Sequence, residues 1–226
     1  MWIVSGASQN HAKSLLQFLH SIPSSHTQTY VWDLGLTAES LEHIRKTFPT
    51  IRIRRFPFED YPTYFNIHEA AGEYAWKPVL LWKTSQEIGG GRMLWCDAGD
   101  RIIGSLDSLT KVIKSQGVYS PISSGTIQKW THPLCLSFMK VEGWMMGMSP
   151  RNGAIVGFDL DCGWAWNLLE EWSRLAQIQD CIAPPGSDRS NHRQDQAVLT
   201  ILYYQATQGQ SLESTNLSLL THQDCD

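Results

Sequence analysis

The sequence predicts an α/β protein with a mainly parallel central sheet flanked by helices. Three observations predict it. Strand-like and helix-like segments alternate through the first half of the chain. The 226 residues, 42% apolar and only 18% charged, suffice for one sizeable core. Finally, the apolar run Arg92-Met93-Leu94-Trp95-Cys96 ends in two carboxylates, Asp97 and Asp100, on a glycine turn. Strand, helix, strand, helix, strand suggests right-handed βαβ units, and in such a sheet ligands sit outside the carboxyl ends of the strands. One domain over residues 1–226 is expected, with 205–226 as a C-terminal tail.

The elements follow in order. Met1-Trp2-Ile3-Val4-Ser5 reads as a short buried strand, and residues 12–19 as a helix, because Leu15, Leu16, Phe18 and Leu19 recur near helical spacing. Thr29-Tyr30-Val31-Trp32 is a second strand. Asp33-Leu34-Gly35-Leu36 then turns into a helix with Thr37 as N-cap and 40–48 as its body, stopped by Pro49. Ile51-Arg52-Ile53-Arg54 alternates like a third strand. Residues 56–66, rich in aromatics and proline, read as a loop wrapping the core. A helix over 74–87 has Pro78 near its first turn, where proline is tolerated, and the strand ending in Asp97 comes next. After residues 111–117 the pattern is less regular, with Ser- and Gly-rich loops and a turn at Trp130-Thr131-His132-Pro133. Residues 152–158 look like another buried strand, 164–178 like an amphipathic helix, and 194–204 like a final helix.

Bulk properties exclude several classes. A net charge of -4 gives no basic footprint for a nucleic-acid backbone, so no nucleic-acid partner is expected. No run of eighteen apolar residues suggests a membrane span, and the start lacks a basic region and room for a signal-peptide core. Five scattered cysteines without CxxC spacing argue against a zinc knuckle and against a complete disulfide framework. Mostly reduced cysteines fit a cytoplasmic protein, or the soluble catalytic part of a membrane-anchored one.

Ser5 to Ser8, Asp33 and Asp97 all fall at carboxyl ends of expected strands, so they can converge although far apart in sequence. The order of a larger set of segments is more specific. Tyr30-Val31-Trp32-Asp33-Leu34-Gly35-Leu36, Tyr74-Ala75-Trp76-Lys77-Pro78, Leu94-Trp95-Cys96-Asp97-Ala98-Gly99-Asp100, Trp130-Thr131-His132-Pro133, Asn152-Gly153-Ala154-Ile155-Val156-Gly157-Phe158 and His192-Arg193-Gln194-Asp195-Gln196-Ala197-Val198-Leu199 span most of the chain. Together they resemble the GT-A fold of nucleotide-sugar glycosyltransferases, and more closely the glycogenin and bacterial galactosyltransferase-like group.

The resemblance implies transfer of a sugar from a nucleoside-diphosphate sugar, UDP-linked in that group, to an acceptor that is a glycan, protein, lipid or small molecule. It also implies retention of anomeric configuration. In that family an Asp-x-Asp motif binds Mn2+ or Mg2+, whose charge grips the donor diphosphate. This chain has Asp97 at the first position but Gly99 at the second, leaving Asp100 as the nearby substitute. His222 lies where a late metal-binding histidine is found, although a solvated histidine reads the same way. Lys77 is placed as the basic residue near the donor, or as a helix lysine with its ammonium in water. Ser5, Gly6 and Ala7 match the small-residue turn against base and ribose, and Asp33 falls at the next strand end. Asn152 and Gly153 match the strand facing the sugar, and Asp195 with Gln196 the pair near the anomeric carbon. The catalytic candidates are therefore Asp195, Gln196 and Asn152. Asp195 also reads as a carboxylate favoured at a helix N-terminus.

Trp164, Leu168, Trp172 and Leu175 follow helical spacing and are assigned to the core, whereas Trp130 and Trp144 are the better sugar-stacking candidates. Met145, Met146 and Met148 offer an adaptable acceptor wall or irregular core packing. Residues 184–191 have the composition of a lid or of a plain surface loop. Two rival functions remain. A sugar-nucleotide-forming nucleotidyltransferase is suggested by Gly89-Gly90-Gly91-Arg92, but that loop precedes the Asp97 strand instead of following the first strand. A catalytically inactive sugar-nucleotide-binding or scaffold protein is suggested by Gly99.

Overall fold

Short apolar runs build the scaffold. In chain order the elements are β1 (Trp2–Ala7), α1 (Ala12–Ser21), β2 (Thr29–Asp33), α2 (Ala38–Thr47), β3 (Arg52–Arg55), α3 (Trp76–Ile88), β4 (Arg92–Cys96), β5 (Arg101–Ile102), α4 (Asp107–Gln116), β6 (Val118–Tyr119), α5 (Ile127–Trp130), α6 (Pro133–Phe138), β7 (Ile155–Asp159), α7 (Gly163–Ala176), α8 (Gln179–Ile182), α9 (Gln194–Thr207) and β8 (Leu219–Leu220). The computed structural model describes residues 1–24, 26, 28–210 and 212–225. Ser211 and Asp226, part of the expected tail, lie outside the described residues.

The main sheet has the order β3-β2-β1-β4-β7-β6. The first four strands are parallel, while β7 runs antiparallel to both β4 and β6. Side chains alternate across it. Val4 and Trp95 enter one core with Trp32, Val79 and Trp172, whereas Ile3 and Leu94 enter the other with Leu15, Phe18 and Ile113. Burial on both faces explains why these strands read as continuous apolar runs. The structure is a mixed α/β fold with a mostly parallel six-stranded sheet flanked by helices.

Strand direction positions the site. Ala7 pairs with Asp33, and β4 lies parallel beside β1, so three carboxyl ends meet at one sheet edge. Because β7 is antiparallel, the residues before it reach that same edge: Ile155 pairs with Cys96, and the Asp97 N–H donates to Ala154 O at 2.9 Å. Asn152 and Gly153 therefore precede the strand instead of lying within it, as the sequence had suggested.

Several boundaries are local chemistry. Thr37 caps α2, its side chain accepting from the Ser40 N–H at 3.2 Å, as expected for that residue type. Gly89, at φ 73°, ends α3 in the left-handed conformation that glycine adopts without Cβ strain. The helix expected over 74–87 begins later, at Trp76, because residues 70–74 form a left-handed turn. Ala70, Ala71, Gly72, Glu73 and Tyr74 all have φ between 46° and 62°. Likewise the helix expected over 164–178 ends at Ala176 and is followed by α8. The Trp130–Pro133 turn separates two short helices, with His132 accepting from the Leu134 N–H.

The segment after α9 is more than a tail. β8 pairs antiparallel with β5, next to the Asp97 turn, and residues 221–225 continue across that turn. No helix among the described residues is long and apolar enough to cross a membrane. All five cysteines are free.

Candidate active site

A cavity of about 410 Å3 opens at the carboxyl edge of the sheet. A charge triad lines it, with Lys77 and Asp195 buried and Asp97 partly exposed. Lys77, projecting from the first turn of α3 and only 3% exposed, places Nζ 3.0 Å from Asp97 Oδ1 and 3.2 Å from Asp195 Oδ2. The second contact is an ion pair without aligned hydrogen-bond geometry. Nζ also donates to Gly153 O at 3.2 Å. Burial disfavours the ammonium, but the Asp195 and Asp97 carboxylates outweigh it, and the Lys77 pKa lies above the ordinary lysine value. Asp195 shifts upward, chiefly through burial, with Lys77 opposing.

Each partner is held by its own element. Asp97 Oδ1 accepts from Trp95 Nε1 at 2.6 Å. Asp195 occupies the first turn of α9, where the helix dipole favours a carboxylate, and its carbonyl accepts from Trp172 Nε1 at 2.9 Å. Gly153 permits this approach: a Cβ there would fall 3.2 Å from Asp195 Oδ2. Gly6 is confined in the same way, since a Cβ would fall 3.0 Å from Trp32 O.

Of the residues singled out in the sequence, Gly6, Ala7, Lys77, Asp97, Asp100, Asn152, Gly153, Asp195, Gln196 and His222 line this cavity. Ser5 and Asp33 do not. Ser5 is fully buried within β1. The Asp33 side chain is consumed by its own turn, Oδ1 accepting from the backbone N–H groups of Gly35 at 2.8 Å and Leu36 at 2.7 Å. Asn152 is also partly used locally, its Oδ1 accepting from the Ala154 N–H at 2.7 Å.

Trp130 lines the cavity with the Arg193 guanidinium stacked 4.1 Å from its ring centroid, whereas Trp144 does not line it and is 46% exposed. The proposed methionine wall fails to reach the cavity. Met145 is fully buried, and Met148 packs against the core. Within 184–191 only Arg189 lines the cavity, while Asp188 and Asn191 tie the loop to itself.

Sequence reasoning passed over several cavity residues. Arg189 and Arg193 add positive charge, and Arg189 Nη1 donates to Tyr74 Oη at 2.6 Å. Tyr74 belongs to the left-handed turn, which Gln194, itself at φ 36°, braces by donating to Glu73 Oε2 at 3.1 Å. Backbone strain of this kind gathers at functional sites. Asp224 and His11 also line the cavity, with His11 Nδ1 and Asp224 Oδ1 3.6 Å apart. Local signals existed for some of these: Tyr74 and Arg193 fall inside segments that carry the resemblance, Arg189 in the polar loop, and Asp224 two residues after His222.

The acidic end of the cavity bears on a metal. Among the described residues no three His, Cys, Asp or Glu side chains already close on one point as a metal cage. The residues nevertheless suit a hard divalent cation in kind. Asp97, Asp100, Asp224 and His222 share the cavity wall, and carboxylate oxygens with one imidazole suit such an ion. Asp100 is 1% exposed, and its Oδ1 has no hydrogen-bond partner among the described residues, while Oδ2 accepts from the Asp97 N–H at 3.0 Å. Burial, then the Asp97 charge, pushes the Asp100 pKa up, with the Asp97 and His222 backbones opposing.

Comparison with known proteins decides the fold. The galactosyltransferase LgtC, solved with donor and acceptor sugar analogues, matches with a TM-score of 0.57 and 19% identity over 90% of this chain and 70% of its own. Core-mannan synthase A from Aspergillus fumigatus, in an Mn/GDP form, also matches at 0.57, with 9% identity over 88% and 68% of the two chains. The chain has the GT-A glycosyltransferase fold. Mouse xyloside xylosyltransferase 1 shares this GT-A architecture at a TM-score of 0.50, with 12% identity over 90% and 81% of the two chains. In sequence, residues 1–82 match a family described as a protein of unknown function (DUF1647). No curated protein sequence matches the chain.

Proposed function

We propose that this protein is a glycosyltransferase that moves a sugar from a nucleoside-diphosphate sugar to an acceptor hydroxyl. The observation that carries the reading is the Lys77–Asp97–Asp195 triad lining a cavity at the carboxyl edge of a GT-A sheet. The donor nucleoside diphosphate lies over Gly6 and Ala7, where small residues admit it, and its phosphates face Arg189 and Arg193. The sugar reaches towards Gly153, Asp195 and Gln196. Choice of UDP follows the resemblance to the glycogenin-like group.

Transfer breaks the bond between the anomeric carbon and the diphosphate oxygen, whose electron pair leaves with the diphosphate. The acceptor oxygen forms the new bond, and its proton passes to the departing phosphate oxygen. Attack on the face from which the diphosphate leaves retains configuration. Asp195, fixed by Lys77, stabilises positive charge developing on the sugar ring, and Gln196 and Asn152 orient its hydroxyls. A divalent cation, when bound, supplies neutralising charge for the departing diphosphate, and Asp97, Asp100 and His222 are at hand to hold it.

The test is thermal stability with a panel of nucleoside diphosphates, with and without Mn2+, on the native chain and on Asp97→Ala. A ligand at a hundred times its dissociation constant adds about 2.7 kcal/mol, a visible rise in melting temperature. The expected result is a metal-dependent shift with UDP that Asp97→Ala abolishes. Absence of a shift with every diphosphate would sink the donor reading. Gly99 motivates a second reading, an inactive sugar-nucleotide-binding protein of the same fold. That reading gains if the shift occurs but neither donor hydrolysis nor sugar transfer follows with Mn2+ or Mg2+.

A further inference from the structure

Position 99 poses a specific problem. A metal-binding turn of the Asp-x-Asp type needs a second carboxylate there, and the chain has glycine. Gly99 is buried, and its missing side chain leaves no hole. A Cβ built on Gly99 would fall 2.5 Å from Asp224 Oδ2 and 2.6 Å from Asp224 Cγ. A carboxylate therefore does occupy the space beside residue 99, but it arrives from a segment 125 positions further along the chain.

That segment is deliberately held. The Gln223 N–H donates to Gly99 O at 2.6 Å, Arg101 Nη2 donates to Gln223 O at 2.8 Å, and the Cys225 N–H donates to Ser14 Oγ at 3.0 Å. Bonds on both sides of Asp224 fix its backbone over the Asp97 turn, and the β5–β8 pair delivers it there. Its side chain is 41% exposed and faces the cavity, so it can rotate towards an ion. The second sign of a ligand is Asp100, a residue of the same cavity wall, 1% exposed, whose Oδ1 has no hydrogen-bond partner among the described residues.

We infer that Asp224 is the second metal-binding carboxylate of this site, standing in space for the one absent at position 99, with Asp97 and His222 as its companions. Gly99 and Asp224 form a matched pair, because a side chain at 99 would have to displace the carboxylate of Asp224 from where it lies. The inference deepens the transferase reading and rests on it for the role of the cation, although metal binding is measured separately.

The experiment is Mn2+ binding, followed by the electron paramagnetic resonance signal of free Mn2+, without nucleotide and with UDP. It compares the native chain, Asp224→Asn, and the exchange variant Gly99→Asp with Asp224→Gly. Removing a carboxylate ligand should weaken binding by about tenfold or more, and the exchange should recover it to within about threefold of native. Gly99→Asp alone should lower the melting temperature, because it drives two carboxylates together. Native-strength binding by folded Asp224→Asn overturns the inference, as does absence of Mn2+ binding by the native chain in both conditions. A folded exchange variant that stays weak overturns the spatial replacement. If the exchange variant does not fold, Asp224→Glu decides: recovery relative to Asp224→Asn supports the carboxylate role, and equal weakness overturns it. Asp224-dependent Mn2+ binding with no affinity for any nucleoside diphosphate would keep this site and remove the donor reading. Metal-independent UDP binding with a silent Asp224→Asn would do the reverse.

Discussion

At the residue scale the decisive group is Lys77. Its ammonium is the buried cation between two carboxylates from separate elements, so its removal leaves the buried Asp195 carboxylate without a counter-charge and facing the partly exposed Asp97. Lys77→Met is expected to cost about 3–5 kcal/mol of stability, measured by urea unfolding. Adding Asp195→Asn should return part of that loss, because the second substitution removes a carboxylate the first left unpaired. A loss below about 1 kcal/mol would show that water, and not Lys77, satisfies these acids. On the proposed transferase reading, which sets Asp195 at the sugar and not at the phosphates, Asp195→Asn alone should abolish transfer while leaving nucleoside diphosphate affinity close to native. Lys77, Asp97, Gly153 and Asp195 were legible in the sequence because each belongs to a short segment in a recognisable order. Asp224 was not, although it lies two residues after His222, since its place beside Gly99 depends on how the end of the chain crosses the Asp97 turn.

At the element scale the left-handed turn 70–74 departs most from sequence expectation. Helical spacing extended back to Tyr74, yet five consecutive positive φ angles place Tyr74 against Arg189 at the cavity instead. Gly72 is the hinge of this turn. A Cβ there would sit 3.0 Å from the Phe65 carbonyl carbon, at φ 62°. Gly72→Ala should therefore cost about 1–3 kcal/mol through left-handed strain and backbone collision, seen as a lower melting temperature. A neutral result would mean that the turn relaxes freely. By contrast Thr37→Ala should cost about 0.5–2 kcal/mol through loss of the α2 cap and leave the cavity unchanged. That cap was legible because capping chemistry is local, whereas the 70–74 turn is imposed by its packing against Phe65 and α9.

At the scale of the whole molecule, pH reports how the second half is held. His192 is fully buried, with Nδ1 accepting from the His132 N–H at 3.2 Å and Nε2 lying 3.1 Å from Ile182 O. Burial lowers its pKa from 6.5 to about 4, so the folded imidazole stays neutral where the unfolded one takes a proton. Its stabilising contribution is complete above pH 6.5 and is lost as pH falls towards 4, by up to about 1.4 kcal/mol per pH unit. Urea midpoints between pH 7.5 and 4.5 should therefore fall more steeply for the native chain than for His192→Gln. Equal slopes would assign the acid sensitivity to other groups.

The sequence by itself determined the layered α/β class, because burial on both faces demands continuous apolar strands and the helices between them show their spacing locally. It also determined, through the order of its segments, which residues to look for at the carboxyl edge of the sheet. Only the tertiary structure decided the antiparallel direction of β7, which brings Asn152 and Gly153 to that edge. It alone brought Arg189, Arg193 and Asp224 into the cavity and left Ser5 and Asp33 outside. The physical reason is range: caps, turns and periodicity act over a few residues, while a site is made by side chains whose meeting depends on strand direction and on chain closure across the whole fold.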